Sequence, residues 1–446
     1  MSIILPDSIK TALRILSEGG FEAYTVGGAV RDSLLGTAPG DWDITTSALP
    51  EDIRRLFSGY RQLLFGMKHG TVSVIIDTSP IEITTYRLDG DYSDSRHPDC
   101  VVFTDKLSED VSRRDFTVNA LCCDFNGEIR DEAGGLADIK NRIIRTVGNP
   151  DKRFSEDALR ILRGMRFSSV LGFGIEEKTA RSIHINRHLL KDISAERVYS
   201  ELIKLICGKD ALRVLLEYGD VLAVVIPDIE PAIGFEQHGK KHCYNVWEHI
   251  CHTVDNIEND SLLRLTMLLH DLGKVPTAAI DENGSSTFKN HAAVGAQIAE
   301  KALRELRAQT KTIKAVTKLI AAHDFEIPQT LPAVRHMLKD VGEEDLRRLL
   351  LIKTADRGAL SPEYRDVSAQ CAAARELIDR VISQKLCFSL STLALKGNHL
   401  AELSIPEDRI GKALDMLLDA VIDEKCENTK KALCEYLKLN IEPIEY

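Results

Sequence analysis

No stretch of the 446-residue chain approaches eighteen uninterrupted apolar residues, so the sequence offers no candidate for a membrane-spanning helix. The first residues, Met1 to Pro6, carry no basic segment ahead of an apolar one, and no secretory signal is expected. The ten cysteines are scattered, with Cys122 and Cys123 adjacent and no Cys-x-x-Cys pair. That spacing speaks against a disulfide framework and a zinc knot and predicts reduced thiols, most of them small buried hydrophobes. Together these absences predict a cytoplasmic protein that does not engage a membrane. No solenoid repeat of fixed period is present. Positive charge is also short: the formal net charge is −11, a balance unfavourable to nucleic acid. Net charge is an average, however, and a polyanion is bound by a local basic surface. From Asp138 to Arg213 there are sixteen Lys and Arg against ten Asp and Glu, so a polyanionic partner is expected there.

The length predicts two to four domains, and 44% hydrophobic with 28% charged residues is a globular composition. The chain is organised around Gly27-Gly28-Ala29-Val30-Arg31-Asp32, followed by Asp41-Trp42-Asp43. Two carboxylates at i and i+2 on an extended segment project from one face, so Asp41 and Asp43 can share divalent cations for an in-line phosphoryl or nucleotidyl displacement. Gly27 and Gly28 can bring bare backbone N–H groups against a triphosphate, with Arg31 adding charge. Either half alone reads as a turn; their joint appearance between apolar runs points to a site.

Helical spacing covers Pro6 to Gly20, and strands are expected at Ala23 to Val26, Thr71 to Ile76 and Ile81 to Tyr86, the last carrying Glu82. Thr45 to Pro50 offer caps for a helix from Glu51 to Phe57. The polar stretch between Arg87 and Val101 reads as a mobile surface loop. In Arg113-Arg114-Asp115-Phe116-Thr117-Val118-Asn119-Ala120, an arginine pair can hold phosphate and Asp115 can accept from ribose hydroxyls; as a bare helix start, Asp115 would be an N-cap. A strand-like segment, Asn141 to Gly148, precedes Ser155-Glu156-Asp157-Ala158-Leu159-Arg160, which reads as a helix capped by Ser155. On that helix Glu156, Asp157 and Arg160 share one side, offering a carboxylate acceptor beside a guanidinium donor, the groups needed to pair with a base edge. Arg163 and Arg166 continue the basic face, and Ser194 to Lys204 reads as a capped, salt-bridged helix. A boundary falls at Pro227 to Gly234. Beyond it stand His249, His270-Asp271-Leu272-Gly273-Lys274, His291, His323 and Asp356. Imidazoles with carboxylates suit a magnesium or transition-metal centre that activates water.

The Gly-Gly-x-Val-Arg-Asp run with Asp-Trp-Asp, the Arg-Arg-Asp-Phe-Thr-x-Asn-Ala run and Glu-Asp-x-x-Arg resemble the motifs of class II CCA-adding enzymes, tRNA nucleotidyltransferases that share their head with bacterial poly(A) polymerases. The His/Asp set resembles the ligands of HD-superfamily phosphohydrolases. Leu395 to Leu400 and Ile410 to Lys412 extend the likeness into the tail.

The resemblance implies an α+β chain: a nucleotidyltransferase head with a small mixed sheet (1–140), then an all-α neck that selects nucleotide and binds RNA (141–230), an HD body (231–370) and a tRNA-binding tail (371–446). It implies template-independent addition of CMP, CMP and AMP from CTP and ATP to the tRNA 3′ end, with Mg2+ on Asp41 and Asp43 and Glu82 assisting. Nucleotide binding falls to Gly27, Gly28, Arg31, Arg114, Asp115, Asn119, Asp157, Arg160, Arg163 and Arg166, with Asp157 and Arg160 reading the base and Glu156 steadying Arg160. The loop between Arg87 and Val101 is associated with completing the terminal adenosine. His249, His270, Asp271 and Asp356 would hold Mg2+ or a divalent transition metal, with His291 and His323 as candidates for a second position. Three alternatives remain at this stage: a poly(A), CC-only or A-only enzyme; a chain acting mainly as an HD phosphohydrolase; and a non-catalytic RNA-binding module, which the pair Asp41 and Asp43 disfavours.

Overall fold

The computed structural model describes residues 2–89, 101–403 and 405–440. The chain divides into two compact units, Met1–Glu230 with Arg304–Ala308, and Pro231–Leu303 with Gln309–Tyr446.

The first unit is built on strands β1 (Ala23–Val26), β2 (Asp43–Thr46), β3 (Arg61–Leu63), β4 (Thr71–Ile76), β5 (Ser79–Thr85), β6 (Arg87–Asp89), β7 (Val101–Phe103), β8 (Cys122–Cys123) and β9 (Ile129–Arg130). Seven of them form one mixed sheet in the order β3-β4-β5-β2-β1-β8-β9. Successive side chains of a strand point to opposite faces, and β4 and β5 put Val72, Val74, Ile76, Ile81 and Ile83 on the same side. That side is covered by the helix Asp7–Glu18 through Ile9, Ala12, Leu13 and Leu16, and by Ile53 and Phe57. Each such buried aliphatic or aromatic side chain contributes ~1.5–3 kcal/mol. The register follows: Ile44 of β2 lies beside Ile83 of β5, and Asp43 beside Glu82. With the isoleucines in the core, both carboxylates face the other way.

On that opposite face Val26, Tyr86, Leu107, Val111 and Cys122 make a second cluster that seats the helix Leu107–Ser112. β1 leads into Gly27, whose φ of 85° is open to glycine at little cost, and the chain turns at once into the helix Gly28–Leu34. The cap residues expected at Thr45 and Thr46 belong to β2 instead, and the helix Pro50–Leu56 starts at Leu49 without a side-chain cap. The segment read as a loop between Arg87 and Val101 begins and ends as strand, β6 pairing antiparallel with β7; residues 90–100 lie outside the described ones.

The helical part of this unit runs from Pro150–Glu156 through Leu159–Leu171, Glu177–Asn186 and Ala195–Ile206 to Gly219–Val225. Of the strand expected over 141–148 only Ile143–Ile144 forms, paired parallel with Gly174–Ile175. The second unit is helical apart from a two-stranded hairpin at 279–287. Its helix Val246–Asn256 opens with a capping box, Asn245 accepting from the Glu248 N–H while Glu248 accepts from the Asn245 N–H. Cores around Val334 and Leu417 hold its C-terminal helices. Among the described residues no helix is long and apolar enough to cross a membrane, and nine cysteines are free.

Candidate active site

A cavity of about 670 Å³ opens on the polar face of the first unit. Gly27, Gly28, Arg31, Asp41, Asp43, Arg114, Asp115, Asn119, Asp157, Arg160, Arg163 and Arg166 all line it. Residues spread over 140 positions of sequence are thus brought together. Glu82 and Glu156 are not on its wall: Glu82 stands next to Asp43 through the strand register, and Glu156 stands behind Arg160.

At one end the carboxylates crowd. Asp43 faces the cavity, but the surrounding protein and then Glu82 raise its pKa, with Asp41 adding and Arg114 opposing, to about 6. Carboxylates gathered closely enough that Glu82 and Asp41 raise the pKa of Asp43 fit a divalent cation, which favours their ionised forms.

Along the walls every arginine is anchored. Asp110, fully buried on the helix Leu107–Ser112, accepts from Arg113 (2.7 and 2.9 Å), from Arg114 (3.1 Å) and from the Thr45 hydroxyl on β2 (3.1 Å). Burial works against its charge, yet Arg114 and Arg113 keep its pKa low. This residue ties the arginine pair to the strand that carries Asp43, and the sequence reading missed it: its spacing to Arg113 and Arg114, i+3 and i+4, reads as an ordinary surface salt bridge. Asp115 is no helix cap. It accepts from the Phe116 N–H at 2.7 Å and, on its other oxygen, from Arg163 at 2.6 and 2.9 Å. Arg31 donates to the Asn119 side chain and to Asp32.

The segment expected to be one helix capped by Ser155 is two helices. Pro150–Glu156 ends at Asp157, which is extended (φ −142°, ψ 102°), and Leu159–Leu171 begins after it. Asn149 rather than Ser155 caps the first helix, accepting from the Lys152 N–H, while the Ser155 hydroxyl donates to the Lys152 carbonyl. The break has a local cause, since the Asp157 carboxylate accepts from the Leu159 N–H (3.0 Å), an alternative to continuing the helix. Its other oxygen accepts from Arg197 (2.9 Å), a contact the sequence reading did not anticipate although it singled out that helix. Arg160 donates to Glu156 (2.7 Å) and to the carbonyls of Arg153 and Arg113. A guanidinium has five donors, so base-pairing donors remain on an arginine whose position is fixed.

The second unit holds a separate cluster. One ligand atom each from His249, His270, Asp271 and Asp356 lie within 4.8 Å of one another, and the same holds for Asp271, His291 and His323. All four histidines point Nδ1 at a backbone carbonyl: Ala359 for His249, Met267 for His270, Phe288 for His291 and Ile320 for His323, at 2.6 to 3.3 Å. Donation from Nδ1 leaves the Nε2 lone pair for a metal, the usual outer support of a histidine ligand. His270 Nε2 and Asp271 Oδ2 are buried and satisfy no hydrogen-bond geometry, although they are 3.3 Å apart. Burial would lower the His270 pKa, but Asp271 and Asp356 outweigh it and raise it to about 9, and Lys274 Nζ lies 2.7 Å from Asp271 Oδ2, so the cluster attracts positive charge. Gly273 makes the packing possible: a Cβ there would stand 2.1 Å from the His291 carbonyl. Asp271, His291, His323 and Asp356 open into a cavity of about 440 Å³ with Lys274, Lys353 and Arg357 on its walls; His249 and His270 lie behind.

Residues 23–145 match the poly A polymerase head domain, 172–233 the probable RNA and SrmB-binding site of polymerase A, and 240–359 the HD domain. The chain is 34% identical over 445 residues to a CCA-adding enzyme of Lactobacillus helveticus, covering 97% of this chain and 98% of that one. It is 42% identical over 281 residues to one of Geobacillus kaustophilus, covering 61% and 67%. The crystal structure of Bacillus stearothermophilus CCA-adding enzyme in complex with CTP superposes with a TM-score of 0.74 at 30% identity, over 98% of both chains.

The crowded carboxylates generate a prediction. With its folded pKa raised above 3.8, ionised Asp43 opposes folding, an effect absent below pH 4 and complete above pH 6. Asp43→Asn in metal-free protein should therefore melt higher than the parent at pH 7.5, with the gain vanishing near pH 4 and shrinking in high salt. A melting curve series with chelator, across pH, checks it; an equal gain at pH 4 contradicts it.

Proposed function

The chain belongs to the CCA-adding enzyme family and is a nucleotidyltransferase, and on that footing we propose that it adds CMP, CMP and AMP from CTP and ATP to the 3′ end of tRNA in the cytoplasm. The observation that carries this reading is the single cavity in which the carboxylates of Asp41 and Asp43, the arginines and the Asp157/Arg160 pair face one another. A poly(A) polymerase, a CC-only or an A-only enzyme would share the head, and so remains an outcome of the test. The domain division follows the same reading: head 1–140, neck 141–230, HD body 231–370, tail 371–446.

Asp41 and Asp43, with Glu82 beside them, would hold Mg2+. An ion there would supply Lewis-acid stabilisation of the charge on the attacking 3′ oxygen and the leaving pyrophosphate. Gly27, Gly28 and Arg31 cradle the triphosphate, Arg114, Asp115 and Asn119 hold phosphate and ribose, and Arg163 and Arg166 complete the basic wall. Arg160, held by Glu156, and Asp157, held by Arg197, present donor and acceptor to the base. tRNA would bind through its backbone charge and helical shape, since all tRNAs must be accepted.

A second activity is favoured by a specific observation: four histidines each fixed through Nδ1, around the buried Asp271. Such a set would bind Mg2+ or a divalent transition metal through His249, His270, Asp271 and Asp356, with His291 and His323 on a second position. The ion would supply an activated water, and the Lys274, Lys353 and Arg357 wall suits a phosphate ester.

Two tests follow. Asp41→Ala and Asp43→Ala should each lower CMP incorporation by about a hundredfold or more while tRNA binding persists; incorporation at the parental rate contradicts the metal assignment. Parent protein offered transcripts ending before CC, after CC and after CCA should stop at CCA, and extension of finished ends with A marks a poly(A) polymerase instead. Changing His270 and Asp271 together to Ala should abolish metal-dependent phosphate-ester hydrolysis and leave CCA addition nearly intact, because the two sets belong to different units. The variant must melt near the parent temperature for the comparison to hold. Absence of hydrolysis by the parent with magnesium, manganese, nickel or cobalt makes the cluster structural.

A further inference from the structure

Three guanidiniums surround one ring in the nucleotide cavity. The carbon of the Arg166 guanidinium is 3.8 Å from the centroid of Phe167, that of Arg31 5.1 Å and that of Arg163 5.3 Å, all within reach of a cation–π interaction. The ring is itself held from behind by Phe116, edge to face at 5.8 Å and 76°. Phe116 is fully buried in turn and packs against Gly164, where a Cβ would stand 3.0 Å from its ring and crowd it.

Converging cations repel one another, the more so where solvent is excluded. Carboxylates relieve part of this: Asp32 pairs with Arg31, Asp115 with Arg163 and Glu201 with Arg166. A carboxylate, however, consumes the N–H edge of a guanidinium and repels an incoming phosphate. An aromatic face attracts the guanidinium plane and leaves its N–H edge free, and it carries no net charge to oppose an anion. Phe167 thus supplies the kind of attraction a triphosphate site can use.

We propose that Phe167 is the positioning residue of the triphosphate-binding arginines, holding Arg31, Arg163 and Arg166 together through its ring face so that their donors converge on the phosphates of either nucleotide. The proposal rests on the nucleotide reading above. Its signature is uniform: CTP and ATP share the triphosphate, while Asp157 and Arg160 are anchored by other groups, so loss of the ring's electrostatics weakens both nucleotides alike and leaves the choice between them unchanged.

Ring fluorination tests this, since it removes the negative charge of the ring face with little change in shape. The full chain is prepared with mono-, di- and trifluorophenylalanine at position 167, and with Phe167→Leu, and KM and kcat are measured for CTP on transcripts ending before CC and for ATP on transcripts ending after CC. KM for both nucleotides should rise in step with fluorine number, reaching about fivefold to tenfold for the trifluoro ring. kcat, the CTP to ATP ratio and the melting temperature should stay level. A flat KM across the fluorinated series, with Phe167→Leu alone impaired, makes the ring a packing residue and overturns the proposal, as does a change confined to one nucleotide. If the unsubstituted protein shows no saturable incorporation of CTP or ATP, the nucleotide reading itself has failed.

Discussion

Three carboxylates, Asp41 just before β2, Asp43 at its start and Glu82 beside it on β5, repel each other in the middle of the sheet, and the first unit is arranged to keep them there. The register between β2 and β5 that sets Asp43 beside Glu82 is the same register that sets Ile44 beside Ile83 in the core. A slip of one residue would bury the acids and expose the isoleucines, so the cost of the crowded site is met by hydrophobic burial on the other face. The raised pKa of Asp43 reflects its desolvation first and the repulsion from Glu82 and Asp41 after it.

The basic side of the cavity is solved differently. Its arginines are fixed in advance by buried carboxylates, backbone carbonyls and an aromatic ring, so little conformational entropy is left to lose when a nucleotide arrives. Asp110 has the widest reach, joining Arg113 and Arg114 to the strand of Asp43 through Thr45. Arg160 touches the carbonyl of Arg113, which connects the residues proposed to hold the phosphates and ribose to those proposed to face the base. The second unit applies the same logic to its His/Asp cluster, with carbonyls rather than carboxylates orienting the imidazoles.

What was legible in the sequence was local. Asp41 and Asp43, the Arg113 to Asp115 run and the His270-Asp271 pair could be read because their chemistry lies in adjacent residues, and β4 and β5 could be read because their apolar residues alternate. The break at Asp157 was not, because Ser155, Glu156 and Asp157 are all good helix-start residues, and which of them turns its side chain onto the backbone shows only in the fold, where Asp157 takes the Leu159 N–H and Arg197 holds its other oxygen. Phe167 was not singled out, since nothing near it in sequence announces that Arg31 lies over its ring. Asp110 was hidden by a spacing that on most helices marks an exposed pair, whereas here the carboxylate is fully buried.

The account turns on selection of the nucleotide by fixed side chains rather than by a nucleic-acid template. Its most direct measurement is the sequence of the 3′ ends that Asp157→Ala and Arg160→Ala build on transcripts lacking CCA, with all four nucleoside triphosphates at equal concentration. Removing one partner of a base edge forfeits ~1–3 kcal/mol of discrimination, so UMP or GMP should enter alongside CMP and AMP. Ends that read only CCA in both variants would contradict it.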